Sequence, residues 1–109
     1  MKDRQGHTGL VDWSSVVQGP LLFDVASAVM YLGGPAAALP FLSAYVEAGG
    51  PVPSTEVRDH LDCVLRYRWA VQADYFASRI AEDDRTGIND AAGNRKGLED
   101  ARRRLLEWY

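Results

Sequence analysis

Residues 8 to 26 read Thr8-Gly9-Leu10-Val11-Asp12-Trp13-Ser14-Ser15 and, three residues later, Gly19-Pro20-Leu21-Leu22-Phe23-Asp24-Val25-Ala26. The first part is short and β-prone and carries one carboxylate, Asp12. The second part opens with a Gly-Pro turn and continues as an apolar helix with another carboxylate, Asp24, near its start. A carboxylate beside apolar residues is costly to bury unless a cation or hydrogen-bond donors meet it. We therefore expect the chemistry of the chain in this segment and a helical scaffold elsewhere.

The periodicity of apolar residues after this segment predicts a mainly α chain. Residues 21–32 are apolar on almost every side, which is typical of a helix that is buried all round, and Gly33 and Gly34 end it. A second helix is predicted over residues 35–48, in which Pro40 can introduce a kink.

The stretch Gly49-Gly50-Pro51-Val52-Pro53 marks a clear break between helices. Ser54 is a suitable N-cap for the longest helix, which is predicted over residues 54–83 with a broad apolar face. A polar loop follows over residues 83–94, and residues 97–108 predict a last helix with an apolar stripe.

The bulk composition is that of an ordinary globular domain and excludes several function classes. At 109 residues the chain is one small domain or part of a larger one, and its formal net charge of −3 argues against a nucleic-acid surface. The most apolar run, residues 21–42, is interrupted by Asp24 and by glycines and prolines, so no membrane span is expected. The single cysteine, Cys63, excludes an internal disulfide, and the polar N-terminus does not resemble a signal peptide. We therefore expect a cytoplasmic protein.

Three short motifs carry a family resemblance: Val11-Asp12-Trp13, Gly19-Pro20 and Asp24-Val25-Ala26. In this order they resemble the aminoglycoside phosphotransferase family, which includes choline-kinase-like and homoserine-kinase-like enzymes and has a protein-kinase-like fold. Arg66-Tyr67-Arg68-Trp69 and Gly97-Leu98-Glu99-Asp100-Ala101 are similar to the helical tail of its C-terminal lobe. The resemblance implies that residues 1–109 form part of that lobe, mainly α with a minimal N-terminal β element.

The resemblance also implies roles for the two carboxylates. In that family the aspartate after the strand holds the Mg²⁺ that bridges the nucleotide phosphates, and Asp12 is the matching residue. Its chemistry fits, because Mg²⁺ takes one or two carboxylate oxygens together with phosphate and water. Asp24 matches an aspartate at the helix start that supports the site by accepting hydrogen bonds from the catalytic loop and from backbone N–H groups. The implied cofactors are ATP and Mg²⁺, and the implied substrate is a hydroxyl of an amine-bearing small molecule.

Other parts of the family pattern do not occur in these 109 residues. There is no glycine-rich loop that would cover the nucleotide phosphates, and no phosphate-binding lysine paired with a glutamate. There is also no His-Gly-Asp followed by Asn, so we assign no catalytic residue. We therefore expect the C-terminal portion of such an enzyme, expressed from an internal or late start and inactive alone. The alternative is a non-catalytic helical interaction module or a split-kinase subunit, because a strand over residues 9–13 needs a partner strand. Such a chain would self-associate or bind an N-terminal lobe.

The remaining chemistry-bearing residues have structural interpretations. We expect His7 in a surface turn, and His60 with Asp59 and Asp62 on a solvated helix face, since their spacing is not that of a metal site. We expect Cys63 to be a small buried apolar residue. The hydroxyls of Ser14 and Ser15 have no neighbouring base, so they are interpreted as loop residues, and Trp13 as a packing residue.

The long helix contains four aromatic residues that predict core packing more than a substrate pocket: Tyr67, Trp69, Tyr75 and Phe76. At its end, Glu82, Asp83 and Asp84 form an acidic cluster. This cluster is either a solvated loop or, through the resemblance, an element that recognises cationic substrates. The three arginines over residues 102–104 suit a helix C-terminus and are assigned no partner.

Overall fold

The computed structural model of the chain describes residues 4–9, 18–87 and 92–107. Within these ranges the fold is mainly α and consists of helices α1 (Leu21–Tyr31), α2 (Leu39–Glu47), α3 (Ser54–Ala81) and α4 (Ala92–Leu106). The described ranges form no β-strand beyond an isolated bridge at Thr8. The prediction of a mainly helical chain is confirmed. The predicted strand lies outside the described residues except for Gly9, so the N-terminal β element stays a prediction.

The core lies between α1 and the N-terminal half of α3. The buried residues of α1 are spaced three or four apart, which places them on one face of the helix: Leu22, Val25, Ala26, Val29 and Met30. Leu61 and Leu65 of α3 pack against them, and Ala38 and Val52 close the cluster from the connecting segments.

The prediction that α1 is buried all round is wrong. Leu21 is 57% exposed and Tyr31 is 72% exposed, so α1 has an open face although its composition is almost entirely apolar. The reason is that neighbouring elements of the described structure cover only the side that faces α3 and Ala38. Composition alone therefore overestimates burial, because it does not count the packing partners.

Two helix boundaries follow from local chemistry. Gly33 and Gly34 have φ values of 101° and 111°, which L-residues with a side chain rarely adopt, and they end α1 as predicted. The following turn runs to Ala38, whose N–H donates to the Gly34 carbonyl at 3.0 Å, so α2 begins at Leu39 and not at residue 35. Pro40 consequently lies in the first turn of α2, where its missing N–H costs nothing, and it introduces no kink inside the helix.

The prediction that Ser54 is the N-cap of α3 is wrong, because Ser54 is the first residue of the helix and no side chain caps it. Pro53 is the N-cap residue, and its carbonyl accepts hydrogen bonds from the N–H groups of Glu56 and Val57 at 3.1 Å. The predicted break at residues 49–53 is confirmed, and it is held by Tyr45, whose hydroxyl accepts a hydrogen bond from the Val52 N–H at 3.1 Å.

The C-terminal half of α3 packs against α4, where Ala101 is buried. Gly97, which was predicted to start the last helix, lies instead in the middle of α4, because the helix begins at Ala92. Its role is a close approach: a Cβ atom at Gly97 would overlap the ring of Phe76. A glycine inside a helix is therefore explained here by packing and not by helix termination.

The chain exposes more surface than a compact monomer of its size. Its accessible area is 8091 Å², whereas a compact protein of 12.0 kDa exposes about 6000 Å². Its radius of gyration is 16.1 Å, compared with about 13 Å for a compact domain of this length. The described residues include nine large apolar side chains that are exposed.

The close approach at Gly97 generates a testable prediction. In an exposed helix, a glycine to alanine change stabilises by up to about 1 kcal/mol. We expect Gly97→Ala to lower the free energy of unfolding by about 1–3 kcal/mol instead, because Phe76 must move away from its position on α4. Urea denaturation measures the effect. The double variant with Phe76→Leu should recover part of the loss, and a stabilising Gly97→Ala would contradict the packing.

Candidate functional site

The segment that was expected to carry the chemistry is described only in part. Asp12, Trp13, Ser14 and Ser15 lie outside the described residues, so the role of Asp12 as a Mg²⁺ ligand stays a prediction. Asp24 lies in the first turn of α1, four residues after Pro20, and its side chain is exposed. A carboxylate at this position interacts favourably with the positive end of the helix dipole. Its support of a neighbouring site stays a prediction as well.

The histidine and acidic residues at the start of α3 lie on its solvent side, as predicted. His60 is exposed, Asp59 accepts a hydrogen bond from Arg58 Nε at 2.8 Å, and Asp62 pairs with Arg66 at 3.5 Å. The Arg58 hydrogen bond holds the pKa of Asp59 below its usual value. Among the residues that the structure describes, no three His, Cys, Asp or Glu side chains lie close enough to hold a metal ion.

The prediction that Cys63 is buried is wrong, because its side chain is exposed. Leu61 and Leu65 form the inward face of α3, and Cys63 lies two residues from each of them. Two residues correspond to about 200° around a helix, so Cys63 faces away from the core. His7, by contrast, is exposed as predicted.

The four aromatic residues of α3 divide into packed and exposed members. Trp69 packs against the core, and Phe76 is half-buried against α4, as predicted. Tyr67 and Tyr75 are 62% and 50% exposed, so the prediction of core packing is wrong for these two.

Arg79 organises the connection between α3 and α4. Its side chain is only 11% exposed, and Nε donates to Oδ1 of Asn94 at 2.9 Å while Nη1 donates to the Tyr75 hydroxyl at 3.1 Å. Nη2 donates to the Thr86 carbonyl, and the Asp84 carboxylate lies 3.8 Å from Nη1. One guanidinium therefore joins α3, α4 and the turn between them.

Asp84 and Asn94 complete this arrangement. The buried Asn94 amide donates to the backbone carbonyl of Asp84 at 2.7 Å, and the Asp84 carboxylate accepts the Thr86 N–H at 3.0 Å. Hydrogen bonds from Thr86, followed by the charge of Arg79, lower the pKa of Asp84. Asp84 therefore has a structural function in the turn, while Asp83 pairs with Arg85 at 3.0 Å.

A second arginine, Arg68, joins α1 to α3. Nε donates to the Ser27 hydroxyl at 3.0 Å, Nη1 to Gln72 Oε1 at 2.9 Å, and Nη2 lies 3.5 Å from the Tyr31 hydroxyl. The guanidinium carbon lies 5.8 Å from the ring centroid of Phe23 and 6.0 Å from that of Tyr31. We call this group, together with the ring of Tyr67, the Arg68 site; Tyr67 meets Phe23 edge-on at 6.1 Å.

Sequence reasoning did not identify the Arg68 site. The available signal was the spacing of four that places Phe23, Ser27 and Tyr31 along one line of α1. This line was interpreted as part of a helix buried all round, and nothing local to Arg68 shows that it meets Ser27, which is 41 residues away in the sequence.

Comparison with known proteins identifies no relative: no family model matches the sequence, and neither a curated protein nor a solved structure matches it. In the part of the chain that the structure describes, none of the helices is both long enough and apolar enough to cross a membrane.

The lowered pKa of Asp84 gives a prediction about acid sensitivity. A carboxylate whose pKa is lower in the folded state than in the unfolded state stabilises the fold. This stabilisation is fully present above the unfolded-state pKa of about 4, and it is lost as the pH falls through the folded-state pKa. We therefore expect Asp84→Asn to lower the free energy of unfolding at neutral pH. This gap in the free energy of unfolding between wild type and variant should close in acid. Urea titrations across this pH range measure the gap.

Asp74→Asn is the matched control, since it removes the same charge from the exposed side of α3 without touching the turn. A constant gap between wild type and Asp84→Asn from neutral to strongly acidic pH would contradict the assigned role of the Asp84 carboxylate.

Proposed function

We propose that this chain is the helical C-terminal part of a cytoplasmic, ATP- and Mg²⁺-dependent phosphotransferase that acts on small molecules of the aminoglycoside, homoserine or choline type. The observation that carries the proposal is the order of the three motifs, Val11-Asp12-Trp13, Gly19-Pro20 and Asp24-Val25-Ala26. Helix α1 begins directly after Pro20 with Asp24 in its first turn, which is the arrangement that the resemblance to the phosphotransferase C-terminal lobe requires.

In this proposal Asp12 supplies a hard oxygen donor for the Mg²⁺ that neutralises the nucleotide phosphates. Asp24 supports the same region from the start of α1. Phosphoryl transfer depends on positioning and charge neutralisation by several groups, and these 109 residues include no His-Gly-Asp…Asn sequence and no glycine-rich phosphate loop. We therefore propose that another polypeptide segment supplies the catalytic base and nucleotide contacts, and that the chain alone does not catalyse transfer.

Calorimetric titration with Mg²⁺-ATP tests the role of Asp12. We expect the heat of nucleotide binding to disappear in Asp12→Ala, because the carboxylate that binds the metal is removed, while the free energy of unfolding stays unchanged. Asp74→Asn is the control, since it removes one exposed carboxylate elsewhere. An Asp12→Ala variant that binds Mg²⁺-ATP as wild type does would contradict a metal ligand at Asp12. A wild-type chain without any binding would contradict a working half-site in the isolated chain.

A second candidate function is a non-catalytic helical interaction module or a subunit of a split kinase. It is favoured by the apolar surface of the described residues, on which large side chains are exposed along all four helices: Leu21, Tyr31, Leu32, Leu39, Val46, Tyr67, Tyr75, Ile80 and Leu106. Covering such side chains with another protein removes apolar surface from water, which favours association. Under this proposal the partner is a second copy or an N-terminal lobe.

Analytical ultracentrifugation tests the self-association version. Leu39 and Val46 lie two turns apart on α2 and are both exposed, so Leu39→Glu with Val46→Glu should weaken association by about tenfold or more without unfolding the chain. Ala70→Glu with Ala77→Glu is the control, since it places the same two charges two turns apart on small, exposed residues of α3. A wild-type chain that stays monomeric at high concentration would contradict self-association and would leave the N-terminal lobe as the partner of this second function.

A further inference from the structure

The Arg68 site holds a positive charge in a fixed position by means of neutral groups. Its three hydrogen-bond acceptors are the side-chain oxygens of Ser27, Gln72 and Tyr31, which come from two different helices. The Ser27 hydroxyl is itself held, because it donates to the Phe23 carbonyl at 3.0 Å. A guanidinium that is anchored from two packed helices is a pre-organised donor, so little side-chain entropy remains to be lost when it binds an anion.

Arg68 differs in this respect from other arginines of the chain. Guanidinium nitrogens of five others lie 2.8–3.8 Å from a carboxylate oxygen: Arg58, Arg66, Arg79, Arg85 and Arg103. Within residues 4–9, 18–87 and 92–107, the contacts of Arg68 include no carboxylate. A half-buried cation whose described partners are all neutral gains from an added anionic partner, since charge-assisted pairs are the stronger hydrogen bonds.

The N–H donors that remain on Arg68 indicate which anionic group it can bind. A guanidinium has five N–H donors, and three of them are directed to Ser27, Gln72 and Tyr31. One N–H on each terminal nitrogen is left for a further acceptor. A carboxylate has two oxygens that can accept such donors, and its negative charge complements the guanidinium.

The surroundings indicate a protein ligand and not a small molecule. Tyr31 and Tyr67 flank Arg68 and are 72% and 62% exposed, so the site is open at the surface, whereas small-molecule sites enclose most of their ligand. Tyrosine and arginine are also the residues that dominate binding energy at protein interfaces, where apolar neighbours exclude water from the charged contact.

We propose that the Arg68 site binds the carboxylate of an acidic side chain in a partner protein, with apolar residues of that partner covering the rings of Tyr31 and Tyr67. This inference needs neither the nucleotide nor the metal of the function proposed above. It adds a docking surface on the outer face of α1 and α3.

NMR titration of the isotope-labelled chain with the capped tripeptide N-acetyl-Leu-Glu-Leu-amide tests the proposal. We expect millimolar peptide to shift the Nε–H signal of Arg68 and the ring signals of Tyr31 and Tyr67. The glutamine analogue, N-acetyl-Leu-Gln-Leu-amide, should leave them unchanged, because it lacks the charge. Arg68→Gln should weaken binding of the glutamate peptide by about tenfold, as for the loss of one charged hydrogen-bonded pair.

Arg66→Gln is the matched control, since it removes the same charge two residues away, on a side chain that pairs with Asp62. If Arg68→Gln does not fold, the comparison of the two peptides on the wild-type chain decides the question. Equal shifts with both peptides, or none with either, would overturn the proposal. Saturation of the Arg68 signal by inorganic phosphate at the same concentration would overturn the assignment to an acidic protein segment.

Discussion

The packing of one face of α1 against the N-terminal half of α3 is the interaction on which the rest of the described structure depends. Leu22, Val29 and Leu65 are almost completely buried at this contact, and each large aliphatic side chain buried in this way contributes about 1.5–3 kcal/mol. The contact fixes the start of α1 relative to α3. It thereby also fixes where Asp24 lies and which residues of α1 are left open to a partner.

The side of α3 that faces the other helices is apolar near its N-terminal end and carries arginines further along. Leu61 and Leu65 meet α1 in a dry core, whereas Arg68 and Arg79 occupy the same side further on, three turns apart. Both arginines join α3 to another helix through hydrogen bonds, and both stack near tyrosine rings. They differ in charge compensation, because Arg79 has Asp84 nearby whereas the described partners of Arg68 are neutral. The Arg79 contact is compensated within the fold, whereas at Arg68 we propose that an external carboxylate supplies the compensating charge.

Features that depend on local chemistry could be predicted from the sequence, whereas features that depend on contacts between helices could not. The existence of the helices, the end of α1 at Gly33 and Gly34, and the break before α3 all depend on local chemistry, and they were predicted. The start of α4, the exposure of Cys63 and the open face of α1 depend on which surface meets a neighbour. Gly97 was interpreted as a helix boundary because a local reading of glycine cannot include the Phe76 ring that lies against it.

Local sequence patterns are limited in the same way for the candidate sites. The motif around Asp12 is local, so a role for it could be proposed from the sequence. Residues 10–17 lie outside the described residues, and that role stays a prediction. The Arg68 site depends on contacts across 41 residues, so no periodicity predicts it. Helix α1 is common to both: its first turn, which follows Pro20, carries Asp24, and its second and third turns carry Ser27 and Tyr31. Because α1 packs as one rigid element, a protein docked at Tyr31 and Arg68 would stabilise the same helix that positions Asp24. The docking partner and the nucleotide site that we propose would therefore share one structural support.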